Sequence, residues 1–305
     1  MKKIKKLLIC VGAQKAGTTW LHEVLEKDTR FKTPLFCKEV QYFNYKHINS
    51  PLINQWRATW FIKLTKKAEF RESLINYLQD NQTHNSLIPT KNKIQLKRIG
   101  FCLKPLNDEW YCDYMAIGPK KQCAIDISPE YAVIGQAGFE NMKAVTDNLK
   151  LVFILRDPVE RSWSGMIQEL KNKSDATEKL NRMANASVET LIGRAKTPNI
   201  ANRSNYLATF QAIKAAGLMD KVKVVFYDDI IANPELVIES VYQHIEMTKP
   251  LAENTILDKV IHKSPSMKMP NEFITQMREV YAPMLAQIHS DFISLPDAWK
   301  KRYAI

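Results

Sequence analysis

Apolar residues fall into two kinds of run along this chain. Short unbroken runs bounded by turn residues read as buried parallel strands, and apolar positions at i, i+3 and i+4 read as helices. The first kind predicts strands over 7–12, 151–155 and 223–227. The second predicts helices over 18–27, from 158 to 171, over 204–216 and over 271–289. In the third of these, Tyr206, Phe210 and Ile213 share a face. Asn233-Pro234-Glu235 carries a cap residue and a first-turn proline, and so starts a further helix. Residues 172–202 are rich in Asn, Lys, Ala and Ser and read as a helix fragment in a mobile connection. No internal repeat or low-complexity tract interrupts the pattern. Strands alternating with helices predict an α/β fold with a P-loop-like central parallel sheet flanked by helices.

The first strand runs straight into Gly12-Ala13-Gln14-Lys15-Ala16-Gly17-Thr18-Thr19. A strand, a small-residue turn and a helix start form an anion site, because the first N–H groups of a helix lack internal acceptors and carry the positive end of its dipole. Gly12 and Gly17 are spaced as in the G-x-x-x-x-G-K-[ST] loop of nucleotide triphosphatases, but Thr18 stands where that loop has lysine. The only lysine is Lys15, inside the turn. The loop therefore suits a phosphate or sulfate better than a magnesium triphosphate. A second constellation follows the strand at 151–155. Arg156 sits at its carboxyl end, where open α/β sheets bind ligands. Asp157 and Pro158 suit the first turn of a helix, and Ser164 lies about two turns along it. Asp228-Asp229 after the strand at 223–227 imitates a Walker B element, with capping of the next turn as the simpler reading.

The segment Gln14-Lys15-Ala16-Gly17-Thr18-Thr19-Trp20-Leu21 resembles the 5′-phosphosulfate loop of sulfotransferases that use 3′-phosphoadenosine 5′-phosphosulfate (PAPS), and Arg156-Asp157-Pro158 with Ser164 resembles their 3′-phosphate motif. The resemblance implies PAPS as donor, PAP as product and no metal. It assigns Lys15, Ala16, Gly17, Thr18, Thr19, Trp20, Arg156 and Ser164 to the nucleotide. Lys38-Glu39-Val40-Gln41-Tyr42-Phe43 resembles the heparan-type segment whose glutamate deprotonates the acceptor, which makes Glu39 the base and Lys38 a substrate contact. Related cytosolic enzymes use a histidine base instead; His47 and His84 are the possible substitutes. Ser128 and Tyr131, in a Ser-Pro-x-Tyr segment, are expected at the acceptor or cofactor. Near the C-terminus, residues 260–270 resemble the basic loop that closes over the nucleotide in many relatives, which makes Lys263 and Ser264 the expected contacts, with Lys268 as the second choice.

Residues 1–305 read as a single domain in which 44–122 is a mainly helical, acceptor-side insertion. Its Trp56, Trp60, Trp110 and Tyr111 form either an acceptor lid or the core of a helical subdomain, and the i, i+4 spacing of Trp56 and Trp60 favours the core. The formal net charge of +12 calls for anionic partners, and a phosphorylated, sulfated nucleotide satisfies it without nucleic acid. Five cysteines without a C-x-x-C pair argue against a disulfide framework or a zinc site. The basic N-terminus followed by an apolar run imitates a signal peptide, but that run is the first strand. A cytoplasmic enzyme off the membrane is expected, sulfating a hydroxyl or amine of a small polar molecule such as a natural product or glycoside. A magnesium-dependent P-loop kinase and a non-catalytic nucleotide- or glycan-binding module are the alternatives. Oligomeric state is not legible.

Overall fold

Near-continuous apolar strands demand cover on both faces, and a parallel sheet between helix layers supplies it. The computed structural model describes residues 1–66, 71, 98–171, 175–249 and 267–305. Its strands are β1 (Leu7–Gly12), β2 (Phe31–Lys32), β3 (Cys123–Ile127), β4 (Leu149–Leu155) and β5 (Val222–Phe226). They form one sheet of order β2-β3-β1-β4-β5, with every pairing parallel. β1 and β3 are buried at every position. β3 nevertheless contains an acid, Asp126, with no solvent exposure.

The chain moves from β1 outward to β2, back to β3, and then across β1 to β4. The loops after β1, β3 and β4 therefore emerge side by side at the carboxyl edge, where the winding reverses and ligands bind in such sheets. The helix Thr18–Glu26 follows β1, and Pro158–Lys171 follows β4. The second of these is buried along most of its length beneath Ala176–Ala184, Val188–Ala195 and Asn271–Asp291. Burial on several sides explains how the helix accommodates Arg161, Ser162 and Ser164 as interior residues: they face other elements, not water.

The expected strands and helices are present, with β4 two residues longer than its apolar run and β5 ending at Phe226, before Tyr227 opens a helix. The connection expected over 172–202 is corrected, because from 176 onward it is helical. Ala176–Ala184, Val188–Ala195 and Pro198–Ala201 bury Met183, Leu191, Ile192, Ala195 and Ile200, and the Ser187 side chain caps the second helix by accepting from the Thr190 N–H. Its polar composition hid a narrow apolar stripe. Residues 172–174 lie outside the described residues. Among the described residues, no helix is long and apolar enough to cross a membrane. All five cysteines are free thiols.

Within 44–122, Leu52–Thr65 and Asp108–Ala116 bring their aromatics together. Trp110 and Tyr114 stack at 5.0 Å, Trp56 lies 5.7 Å from Tyr114, and Trp60 lies 5.2 Å from Phe36. Trp110 and Tyr111 are buried, and Trp56 and Trp60 pack half-buried against the core. His47 pairs with Asn141 at 3.0 Å, while His84 lies outside the described residues.

Candidate functional site

The turn after β1 is held by close packing. Gly12 has φ +154°, and a Cβ there would stand 3.0 Å from the Pro129 carbonyl. Ala13 N–H donates to the Ile154 carbonyl at 2.7 Å, pinning the turn to β4. Lys15 and Gly17 both have left-handed backbone, at φ +72° and +92°. At Gly17 a Cβ would meet the Tyr227 ring at 3.2 Å. Turns of this kind gather successive N–H groups into an anion-binding hollow. No side chain caps the helix Thr18–Glu26. Its first-turn N–H groups, those of Thr18, Thr19 and Trp20, have no intrahelical acceptor and sit at the positive end of the dipole. The ring N–H of Trp20 is buried without a partner among the described residues. Orphaned donors around a small-residue turn fit a phosphate-bearing ligand.

Cations crowd the same loop. Lys15 Nζ donates to Gln168 Oε1 at 3.2 Å. Lys38 Nζ reaches across to Thr19 Oγ1 at 3.0 Å and Thr18 Oγ1 at 3.5 Å. Arg156 donates to the Lys15 carbonyl at 3.1 Å, pairs with Glu160, and lies over the Tyr227 ring at 4.7 Å. Arg161 is fully buried and donates to the Gln14 carbonyl at 3.1 Å and the Ile200 carbonyl at 2.7 Å. Burial pushes its pKa down to about 10. Lys15 is also lowered, first by burial and then by repulsion from Lys171, Arg156, Arg161 and Lys38. So much like charge in one place is unfavourable until an anion enters.

Lys38 joins this cluster to a carboxylate. Its ammonium lies 3.5 Å from Glu39, whose Oε2 accepts from Gln41 Nε2 at 3.0 Å. Burial raises the Glu39 pKa above the ordinary carboxylate range; Lys38 and Gln41 oppose the rise, and Glu130 adds to it. Lys15, Thr18, Thr19, Lys38, Glu39 and Arg156 are thus brought to one edge of the sheet. Ser164 is buried two turns along the helix that Arg156 precedes. Ser128 and Tyr131 have no solvent exposure, and their hydroxyls donate to Asp126 at 2.6 and 2.9 Å. They sit behind the segment that carries Glu39. Lys263 and Ser264 lie outside the described residues. Lys268 is exposed next to Met267, whose carbonyl accepts from Trp163 Nε1 at 3.0 Å, one residue before Ser164.

Asp228 does not cap its helix through its side chain. It accepts from Trp299 Nε1 at 2.7 Å. Asp157, 2% exposed, caps its helix by accepting from Val159 N and Glu160 N at 3.0 and 3.2 Å. It also receives Tyr303 Oη–H at 3.0 Å and Arg302 at 2.6 Å. Sequence reasoning missed these C-terminal contacts, along with Arg161 and Asp126. The available signals were a charged residue inside an apolar strand and a second arginine inside a mostly buried helix. Among the described residues, no group of three or more His, Cys, Asp or Glu is arranged to hold a metal ion.

The chain matches the sulfotransferase domain family over residues 5–294. It is similar in structure to a sulfotransferase from Alicyclobacillus acidocaldarius, at 16% sequence identity and a TM-score of 0.58, with 97% of this chain and 99% of that chain covered. It also resembles the sulfotransferase domain of the olefin synthase from Synechococcus PCC 7002, at 14% identity and a TM-score of 0.49 over 100% of this chain and 93% of that one. No curated protein matches it. At these identities the structural likeness speaks for the fold alone. The family match spans both the loop at Lys15 and the motif at Arg156 and Ser164, and the chain belongs to the sulfotransferase family.

Proposed function

We propose that the chain transfers a sulfuryl group from PAPS to a hydroxyl or amine of a small polar acceptor, such as a natural product or glycoside. One observation carries this reading: Lys38 bridges the threonines of the anion loop and Glu39, so the charge-binding site and a general base share one side chain. PAPS, when bound, supplies the sulfuryl group and leaves as PAP.

The residues of the chain divide the work. The first-turn amides of Thr18, Thr19 and Trp20, with the loop at Ala16 and Gly17, bind the 5′-phosphate end by aligned N–H donors and the helix dipole. Lys15 adds a cation at that end and neutralises negative charge as it builds on the departing oxygen. Donors fixed in advance need no reorganisation at the moment of reaction. Arg156 and Ser164 bind the 3′-phosphate; a guanidinium already oriented by Glu160 and Tyr227 loses little freedom on binding. Glu39 takes the acceptor proton. Its raised pKa makes it a stronger base than an exposed carboxylate. Lys38 holds Glu39 and the threonine hydroxyls in register.

The kinase alternative needs Asp228 and Asp229 for magnesium, and one of the two Asp228 carboxylate oxygens is engaged by Trp299 Nε1. Calorimetric titration with PAP in EDTA, beside ATP with Mg²⁺, tests the reading. Metal-independent PAP binding supports it, and PAPS with candidate acceptors then tests transfer. Binding of magnesium ATP with no response to PAP would overturn it.

A further inference from the structure

A stretch of chain that is neither helix nor strand must still place its backbone polar groups. The segment ahead of the helix Tyr42–Ile48 carries Lys38 and Glu39, and side chains hold it throughout. Phe36 N–H donates to Tyr114 Oη at 3.1 Å. The Val40 carbonyl accepts from Trp56 Nε1 at 3.1 Å. Two successive amides then reach one carboxylate through hydroxyls. Gln41 N–H donates to Ser128 Oγ at 3.3 Å, and Tyr42 N–H to Tyr131 Oη at 3.1 Å. Those two hydroxyls donate on to Asp126, and Tyr111 Oη adds a third bond at 3.0 Å.

We propose that Asp126 is a positioning residue for the base: held by Tyr111, it fixes the backbone of residues 41 and 42 through Ser128 and Tyr131, and through Gln41 it aims Glu39. The inference rests on the reading of Glu39 as the proton acceptor.

The chain of contacts is continuous. Gln41 has left-handed backbone at φ +63°, a conformation unfavourable for a residue with a Cβ and retained where surrounding bonds over-determine it. That turn directs its side-chain N–H to Glu39 Oε2 at 3.0 Å. Asp126 forms no ion pair among the described residues and has no exposure. Its charge is balanced by three hydroxyl donors, so loss of one donor weakens the others. Burial pushes its pKa up to about 6 against those donors. Tyr111, Tyr114 and Trp56 all come from the inserted helices. The insertion thus acts as a scaffold for the base segment.

The test uses Tyr111→Phe and Tyr131→Phe, which keep the rings and remove one hydroxyl each; Asp126→Asn is the severe case and risks misfolding. Three acceptor-free measurements apply to each variant: amide hydrogen exchange at Gln41 and Tyr42, NMR titration of the Glu39 carboxyl, and calorimetric affinity for PAP. We expect exchange at these amides to accelerate by about tenfold or more. The Glu39 pKa should fall toward the ordinary carboxylate value as the segment opens to water. PAP affinity should hold within about twofold, because the anion loop is built on other residues. Unchanged Glu39 titration in both variants overturns the proposal. So does faster exchange spread evenly over the whole chain, which would mark a purely structural role. Glu39→Gln separates the two readings: normal transfer of sulfate from PAPS in that variant overturns the base assignment alone, while exchange and titration still decide the network.

Discussion

Removal of Arg302 should reach the proposed nucleotide site from outside the region that defines the family. The helix Asp297–Tyr303 follows the last family-matched residue, 294, yet Arg302 donates to Asp157 at 2.6 Å. The Asp157 side chain is 3% exposed and that of Arg302 is 31% exposed. Breaking a fully buried ion pair costs about 3–5 kcal/mol, and breaking an exposed one about 0.2–1. One buried partner and one partly exposed partner place Arg302→Ala between these limits, at about 2 kcal/mol. Cap and tyrosine bonds still hold Asp157, which keeps the cost from the upper limit. For a chain of 305 residues at about 2.1 cal/mol/K per residue, each kcal/mol moves Tm by about 1.5 °C, so a drop of about 3 °C is expected by calorimetry. An uncompensated carboxylate next to Arg156 also repels a phosphate, on the order of 1 kcal/mol at the effective dielectric of a protein surface. PAP affinity should weaken by roughly fivefold. A Tm shift below about 1 °C would show that Asp157 does not depend on this cation. A lowered Tm with unaltered PAP affinity would show that the helix braces the fold without influencing the phosphate motif.

Lys15→Met should act with opposite sign on the free and the bound protein. The Lys15 pKa is lowered by burial and by four neighbouring cations, so its charge opposes folding at every pH below that pKa. Its loss should leave the free protein at least as stable, offset by about 1 kcal/mol for the hydrogen bond to Gln168. Transfer should fall by about a hundredfold or more while PAP still binds in part; unchanged turnover would refute the role. The pH profile tests Glu39. Its pKa is raised, so transfer should be lost as pH falls through a value above the ordinary carboxylate range. Lys38 lowers that pKa, so Lys38→Met should move the acidic limb to higher pH; a limb moving to lower pH would show that Lys38 does not act on Glu39 by charge.

What is local in this protein was legible in its residues. The run 7–12 with its glycines, and Arg156-Asp157-Pro158 after an apolar run, determined a strand, an anion loop and a capped helix, because strand burial, left-handed turns and first-turn caps act over a few residues. Lys15, Thr18 and Arg156 could be placed at the carboxyl edge of the sheet for the same reason, whereas Glu39 was a candidate through family resemblance alone. What depended on distant partners was not legible. Asp126 carried no sequence signal of its own, and in the fold the hydroxyls of Ser128, Tyr131 and Tyr111 surround it. Ser128 and Tyr131 read as ligand contacts, and the folded chain commits their hydroxyls to that carboxylate. Asp228 read as a metal ligand or a cap, and Trp299, 71 residues away, claimed it. The narrow stripe that folds 176–201 gains meaning only against the helix Pro158–Lys171. Sequence determines where backbone geometry and charge can bind an anion. Which buried polar groups satisfy one another is decided only when the sheet order β2-β3-β1-β4-β5 brings the loops after β1, β3 and β4 to one edge, because desolvated donors and acceptors must pair within hydrogen-bond distance whatever their separation along the chain.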